Sequence, residues 1–310
     1  MSQLTNHLLM IEPIAFRYNE ETAVNNYYQK HLDSISKDEV QARALSEFST
    51  FVKKLRAKGI EVTVVQDTLY PDTPDSIFPN NWVSFHHDGR VALYPMYAVN
   101  RRTERRMDIM ELLSSEKNLL ITDVVDFTSF ETDHIFLEGT GSMLLDREHK
   151  ICYAALSLRT QKSALDKFCE TFDYESVSFV SNQNVGNQRM PIYHTNVMMC
   201  IADKYAVVCM DTIDDKQERL LVEASFKSTG KEIIEITEEQ KHRFAGNMLQ
   251  VLGDQPYLVM SSSAYASLTS AQIKQIENYN PIIHSSLDTI ESCGGGSARC
   301  MMAEVFLPSK

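Results

Sequence analysis

An apolar hairpin, an amphipathic helix and a buried strand recur in that order along the chain, and such a repeat constrains the fold more than composition does. The first full copy opens with NNWVSFHHDGRVALYPM, where Asp88-Gly89 turns between two alternating runs. The helical pattern RRTERRMDIMELLSS and the apolar strand LLITDVVDF follow. A second copy reads GTGSMLLDREHKICYAAL, RTQKSALDKFCETF and SVSFVSN; a third reads HTNVMMCIADKYAVVCM, DKQERLLVEASFKST and KEIIEI. The fourth is GNMLQVLGDQPYLVM, then SAQIKQIENY with Thr269 or Ser270 as N-cap, then NPIIHS. A fifth copy is expected to be split between the ends of the chain. Its helix is DEVQARALSEFSTFVKKLRAKG, stopped by Gly59, and its last strand is IEVTVVQ. Its hairpin would pair LLMIEP with CMMAEVF.

Hairpins starting near 81, 141, 194 and 247 are spaced by 60, 53 and 53 residues. Any α/β protein alternates its elements, but a doubly wound sheet would put single strands between helices. The expectation is therefore an α/β fold of five ββαβ modules closed by the chain ends, a five-bladed α/β propeller with pseudo-fivefold symmetry. It would form a single domain over residues 1–310.

In such a ring the turns leading into the hairpins meet at the axis, where a ligand pocket belongs. Those turns carry Asn80-Asn81, Glu138 ahead of Gly-Thr-Gly, His194-Thr-Asn, Gly246-Asn247 and Cys300. They bring a thiol, an imidazole, a carboxylate and several amides to equivalent places. Cys300 follows Cys-Gly-Gly-Gly-Ser-Ala-Arg, and such glycines let backbone approach a ligand closely. A lone cysteine after a flexible loop is ordinarily structural; the glycines and the distant His and Glu point instead to a nucleophile. Cys152, Cys169, Cys200, Cys209 and Cys293 have no such setting and read as core or supporting thiols. His194 begins an apolar strand, which by default makes it a core-edge residue, but its place in a turn suits acid–base work. Glu138 lies between apolar sequence and a glycine turn, and such an acid needs a cationic or N–H partner.

Other classes are disfavoured. A net charge of −12 argues against nucleic acid and anionic membranes. The basic run Arg101, Arg102, Arg105 and Arg106 reads as a solvated helix face, and His86-His87 as a solvated hairpin tip. GTGS lacks the Gly-Lys-Ser/Thr of a phosphate loop, and GGGS opens no helix, so no nucleotide site is expected. Neither metal nor organic cofactor is indicated. With no export signal or membrane span, and six scattered cysteines reading as reduced thiols, the cytoplasm is the expected compartment.

The chain resembles the pentein, or guanidine-modifying, superfamily of arginine deiminases, dimethylarginine dimethylaminohydrolases and amidinotransferases, and most of all its citrulline-utilisation hydrolase branch. The similarity runs in order through PDSIFPNNWV, LEGTGSMLLDREHKICYAALSLRT, HTNVMM and GGGSARCM. It implies Cys300 as nucleophile, His194 as general acid–base and Glu138 as the acid orienting substrate nitrogen. It also implies Asp75 on a substrate loop, and Arg101 and Arg159 at or near the substrate's α-carboxylate. Two departures stand out: Asn81 stands where relatives acting on a guanidinium carry a carboxylate, and the acid is followed by Gly-Thr-Gly-Ser. A guanidinium offers only donors, whereas a ureido group also carries an acceptor oxygen, which an amide can serve from its N–H. Asn81, together with Asn80, therefore favours citrulline, cleaved to ornithine, carbon dioxide and ammonia, with Asn247 as a further substrate-binding residue. Arginine or dimethylarginine hydrolysis, amidinotransfer and a non-catalytic binding propeller are the alternatives. The expected partner is a small amino-acid substrate, and a homodimer is admitted.

Overall fold

The computed structural model describes residues 2–32 and 34–310. Five three-stranded sheets share one pattern, an antiparallel hairpin whose second strand also pairs in parallel with the strand after the next helix. The first sheet joins Val83–Phe85, Arg90–Leu93 and Asp123–Asp126. The second joins Leu144–Asp146, Ile151–Ala155 and Glu175–Phe179. The third holds Met199–Ile201, Tyr205–Val208 and Glu232–Glu235, and the fourth Leu249–Leu252, Pro256–Ser261 and Ile282–Ser285.

The fifth sheet is made from both ends of the chain. His7–Glu12 pairs antiparallel with Ala303–Glu304 and parallel with Glu61–Gln66. Its helix, Lys37–Arg56, is capped by Ser36, whose side chain accepts from the Glu39 amide. Asp38 and Glu39 lie in its first turn and Lys53, Lys54 and Arg56 in its last, matching the helix dipole. Val40, Ala44, Phe48, Phe51, Val52 and Leu55 form its buried stripe. Gly59, at φ +78°, turns the chain after the helix in a conformation that costs glycine nothing.

Alternation along each strand sends neighbouring side chains into different cores. Leu8 and Met10 pack with Leu249, Val251, Val259 and Ile283 of the fourth sheet. Leu9 and Ile11 pack with Val83, Phe85 and Val91 of the first. Ala92 joins Leu145 and Cys152 of the second sheet. Leu144 and Tyr153 join Met199 and Val207 of the third, in a core that also takes Leu258 and Met260 of the fourth. Each sheet thus shares apolar packing with the next, and the fourth with the fifth.

Several expectations need correction. RRTERRMDIMELLSS is not one helix but a 3-10 turn, Asn100–Glu104, followed by the helix Asp108–Ser115. Its arginines are not a solvated face. Arg101 is 2% exposed, Arg105 pairs with Glu131 at 2.6 Å, and Arg106 bonds Asp108 and the Gln66 carbonyl. The extra acids on neighbouring turns draw the basic run inward. His86 is also buried, stacked on Phe172 with centroids 4.0 Å apart and 2.8 Å from the Ser84 hydroxyl. An additional hairpin, Asn182–Val185 with Gln188–Pro191, interrupts the repeat before His194. Among the described residues no helix is long and apolar enough to cross a membrane.

Candidate active site

Four of the turns that lead into the hairpins are short helical turns, and they meet. Pro79–Asn81, Gly139–Ser142, Thr195–Val197 and Ala298–Met301 each stand directly before the first strand of a sheet. Glycine makes the meeting close. At Gly139, with φ +48°, a Cβ would fall 2.3 Å from the Asn80 carbonyl; at Gly141 it would fall 2.5 Å from Asn81 Nδ2 and 2.9 Å from His194 Nδ1.

Cys300 is 4% exposed and lines a small, tight cavity together with Asp75, Asn81, Arg101, Arg159 and His194. Two amides donate to its sulfur, Asn247 Nδ2 at 3.3 Å and Asn196 Nδ2 at 3.4 Å. Such donors serve a sulfur bearing negative charge better than a neutral one. Asn247 is itself fixed, donating to the Asn196 carbonyl and accepting from the Arg299 amide.

His194 Nε2 lies 2.7 Å from Glu138 Oε2. Burial raises the Glu138 carboxyl, but Arg159, His194 and Arg101 outweigh it and hold the group far below the usual carboxylate range. Glu138 is therefore ionised and accepts, so Nε2 carries the proton and Nδ1 is left as an acceptor on the Gly141 side. Burial lowers the His194 imidazole to about 4 against the opposing pull of Glu138, which keeps it neutral near pH 7. The Glu138 oxygens are fully engaged, Oε1 by the Tyr97 amide at 2.9 Å and Oε2 by His194 and, at 3.5 Å, Arg159 Nη1.

Arg101 and Arg159 both line the cavity, and both forks are occupied by protein. Arg101 Nε and Nη2 meet Glu104 at 2.8 and 2.9 Å, and Nη1 donates to Asn81 Oδ1 at 2.8 Å. Arg159 grips Asn25 Oδ1 from Nε at 2.9 Å and again from Nη2, which also reaches the Thr22 carbonyl. Asp75 Oδ2 accepts from Asn19 and Thr22, while its buried Oδ1 has no partner among the described residues. Asn80 Oδ1 accepts from Asn81 Nδ2 at 3.0 Å.

All nine residues singled out from sequence thus belong to one connected cluster. Asn196, Glu104 and the stretch from Asn19 to Gln29 were not foreseen as parts of it. Asn196 had a signal, as the third residue of the same His-Thr-Asn turn; the stretch lies outside the repeat and had none.

The glycine loop before Cys300 is held by its carbonyls. Tyr193 Oη donates to Gly295, Asn26 to Gly294 and Gln29 to Cys293. Behind it, Glu291 accepts from the Ser297 hydroxyl at 2.5 Å, and burial pushes its carboxyl up to about 7 against hydrogen bonds from Ser261 and Ser297. With its folded pKa above the unfolded value, Glu291 supports the fold below about pH 4.5 and loses that support as pH rises through 7. Glu291→Gln is therefore expected to be more stable than the parent at pH 8, by up to about 3 kcal/mol, and little different at pH 4. Denaturant melts at both pH values check this; an equal difference at the two would refute it.

Among the described residues no cluster of three or more His, Cys, Asp or Glu could hold a metal ion. A fold of repeated ββαβ sheets around a cysteine, a histidine and a glutamate defines a pentein enzyme of the guanidino-modifying superfamily. The chain belongs to the family described as N,N dimethylarginine dimethylhydrolase, eukaryotic, which matches residues 12–307. No curated protein matches the sequence.

Solved structures share the fold at low identity. ArgZ, an arginine dihydrolase from the ornithine-ammonia cycle in Cyanobacteria, superposes with a TM-score of 0.75 at 19% identity, covering 98% of this chain and 41% of its own. This chain therefore spans well under half of ArgZ, but 99% of the substrate-bound N-terminal domain of that enzyme, at 18% identity, TM-score 0.73 and 97% of this chain. A dimethylarginine dimethylaminohydrolase in adduct with S-methyl-L-thiocitrulline gives a TM-score of 0.65 at 13% identity, over 97% of this chain and 100% of its own.

Proposed function

We propose that this chain hydrolyses citrulline to ornithine, carbon dioxide and ammonia, as a single catalytic unit over residues 1–310 built as a five-bladed propeller. The shared cores from each sheet to the next, and from the fourth to the fifth, support that ring.

One observation carries the substrate reading. A guanidinium has only donors, so the Asn81 atom facing Arg101 Nη1 at 2.8 Å is the amide oxygen. Nδ2 then donates once to Asn80, leaving one N–H without a partner among the described residues, in a side chain that lines the cavity. A ureido oxygen can accept that hydrogen, and a guanidinium nitrogen cannot.

In the proposed reaction the Cys300 thiol gives its proton to neutral His194 Nδ1, and its sulfur bonds to the ureido carbon. Breaking a C–N bond releases an amine that takes the proton from His194, leaving a thiocarbamate. Water, losing a proton to the same imidazole, attacks that carbon and frees the thiol. The carbamate formed breaks down to carbon dioxide and the second amine. Asn196 and Asn247 hold the sulfur, Glu138 holds the imidazole, and Asp75, with a free oxygen, takes the substrate's ammonium.

Arginine is the second reading, favoured by the structural likeness to arginine dihydrolases. Two successive hydrolyses of arginine also leave ornithine. Incubation with citrulline, arginine and dimethylarginine, with ammonia and amino-acid products measured, separates these readings. Citrulline accumulating from arginine as an end product would overturn the proposal. Asn81→Asp is expected to shift the citrulline-to-arginine ratio of kcat/KM toward arginine by about ten- to a hundredfold, because a carboxylate faces the ureido oxygen with no hydrogen to give.

A further inference from the structure

We infer that Glu104 is a positioning residue for substrate choice, acting through Arg101 to fix which face of the Asn81 amide the substrate meets. This rests on the reading of Asn81 above. Glu104 touches no part of the cavity. It lies three residues beyond Arg101 on one 3-10 turn, is 4% exposed, and takes two of the guanidinium's hydrogen bonds, at 2.8 and 2.9 Å. That grip sets the plane of the fork, and the plane sends Nη1 to Asn81 Oδ1.

A competing acceptor makes the grip matter. Asp75 Oδ2 lies 3.9 Å from Arg101 Nε, and Asp75 Oδ1 is buried with no hydrogen-bond partner among the described residues. Were Glu104 neutral, Arg101 would turn to the Asp75 carboxylate, the nearest full negative charge. Two consequences follow together. Asn81 loses the donor that orients it and can rotate its oxygen toward the cavity, which suits a guanidinium. Asp75 loses the free oxygen that would receive a substrate ammonium. Glu104 therefore keeps Arg101 on Asn81 and keeps Asp75 open.

Binding tests this without relying on turnover. In full-length protein carrying Cys300→Ala, dissociation constants for citrulline and arginine are measured by calorimetry, with and without Glu104→Gln. The ratio is expected to move toward arginine by about tenfold, as for one well-placed hydrogen bond lost. Adding Asn81→Asp supplies the control, because a carboxylate has two equivalent oxygens and nothing to orient. In that background Glu104→Gln is expected to move the ratio less than about threefold. Glu104→Asp, one carbon short but still charged, is expected to fall between Gln and the parent, and it carries the same comparison should the Gln variant not fold. An unchanged citrulline-to-arginine ratio, whether or not both ligands weaken, or an equal shift in the Asn81→Asp background, would overturn the role of Glu104 in substrate choice. Turnover by the protein with Cys300 intact is scored separately: absence of citrulline hydrolysis there overturns the proposed function and leaves the binding ratio to judge Glu104.

Discussion

Cys300→Ala is expected to abolish hydrolysis, lowering kcat by on the order of 10⁴-fold or more, since no other group can form the covalent intermediate. The fold should hardly notice, because removing one sulfur from a site that adjoins a cavity costs about 1 kcal/mol. Cys300→Ser should be nearly as inactive: Asn196 and Asn247 are placed to donate to a thiolate, and a serine hydroxyl, far less acidic than a thiol, gives its proton to His194 much less readily. Ammonia release and thermal melting give the two readouts. Iodoacetamide should label Cys300, which lines the cavity, ahead of the other five thiols, all of which lie in apolar core clusters, and substrate should protect it. An alanine variant that still turns over would end the covalent mechanism.

Glu138→Gln should come close in effect. The amide removes the charge that favours protonation of His194, whose imidazole already sits at about 4, and it can present a hydrogen where the ring needs an acceptor. A fall in kcat of about 10³- to 10⁴-fold is expected, as when a triad loses the acid that fixes its histidine. Stability should also fall by about 3 kcal/mol at neutral pH, because Arg159 keeps its charge and loses an ionic partner in the interior. The sign with pH is fixed. Glu138 is depressed in the folded state, so its contribution is whole above about pH 4.5 and fades as pH falls toward the folded pKa. The gap between parent and variant should narrow in acid. A gap that widens would contradict the assignment of Glu138 as the ionised partner.

The repeat was readable because its signals are local. Asp88-Gly89, the alternating runs, the Thr269 cap and Gly59 each specify a turn or an end from a few neighbouring residues. Their spacing then placed Asn81, Glu138, His194, Asn247 and Cys300 at equivalent turns. What escaped was non-local. Whether an arginine faces water or an acid depends on Glu104 and Glu131, which a helical wheel of 101–115 cannot rank. His86 looked solvated because Phe172, on which it stacks, is far along the chain. The segment from Asn19 to Gln29 has little apolar pattern, since its task is to satisfy Asp75, Arg159 and the glycine loop with amide side chains.

The pairing of Ala303–Glu304 with His7–Glu12 bears on how the enzyme comes into being. Cys300 sits just ahead of a strand whose partner precedes the other four sheets in the chain and must wait through their synthesis. Closing that loop carries the largest ordering entropy in the molecule and comes last. A chain emerging from the ribosome can therefore build four sheets while its thiol is still unplaced, so the site forms only after the strand that follows Cys300 has been made.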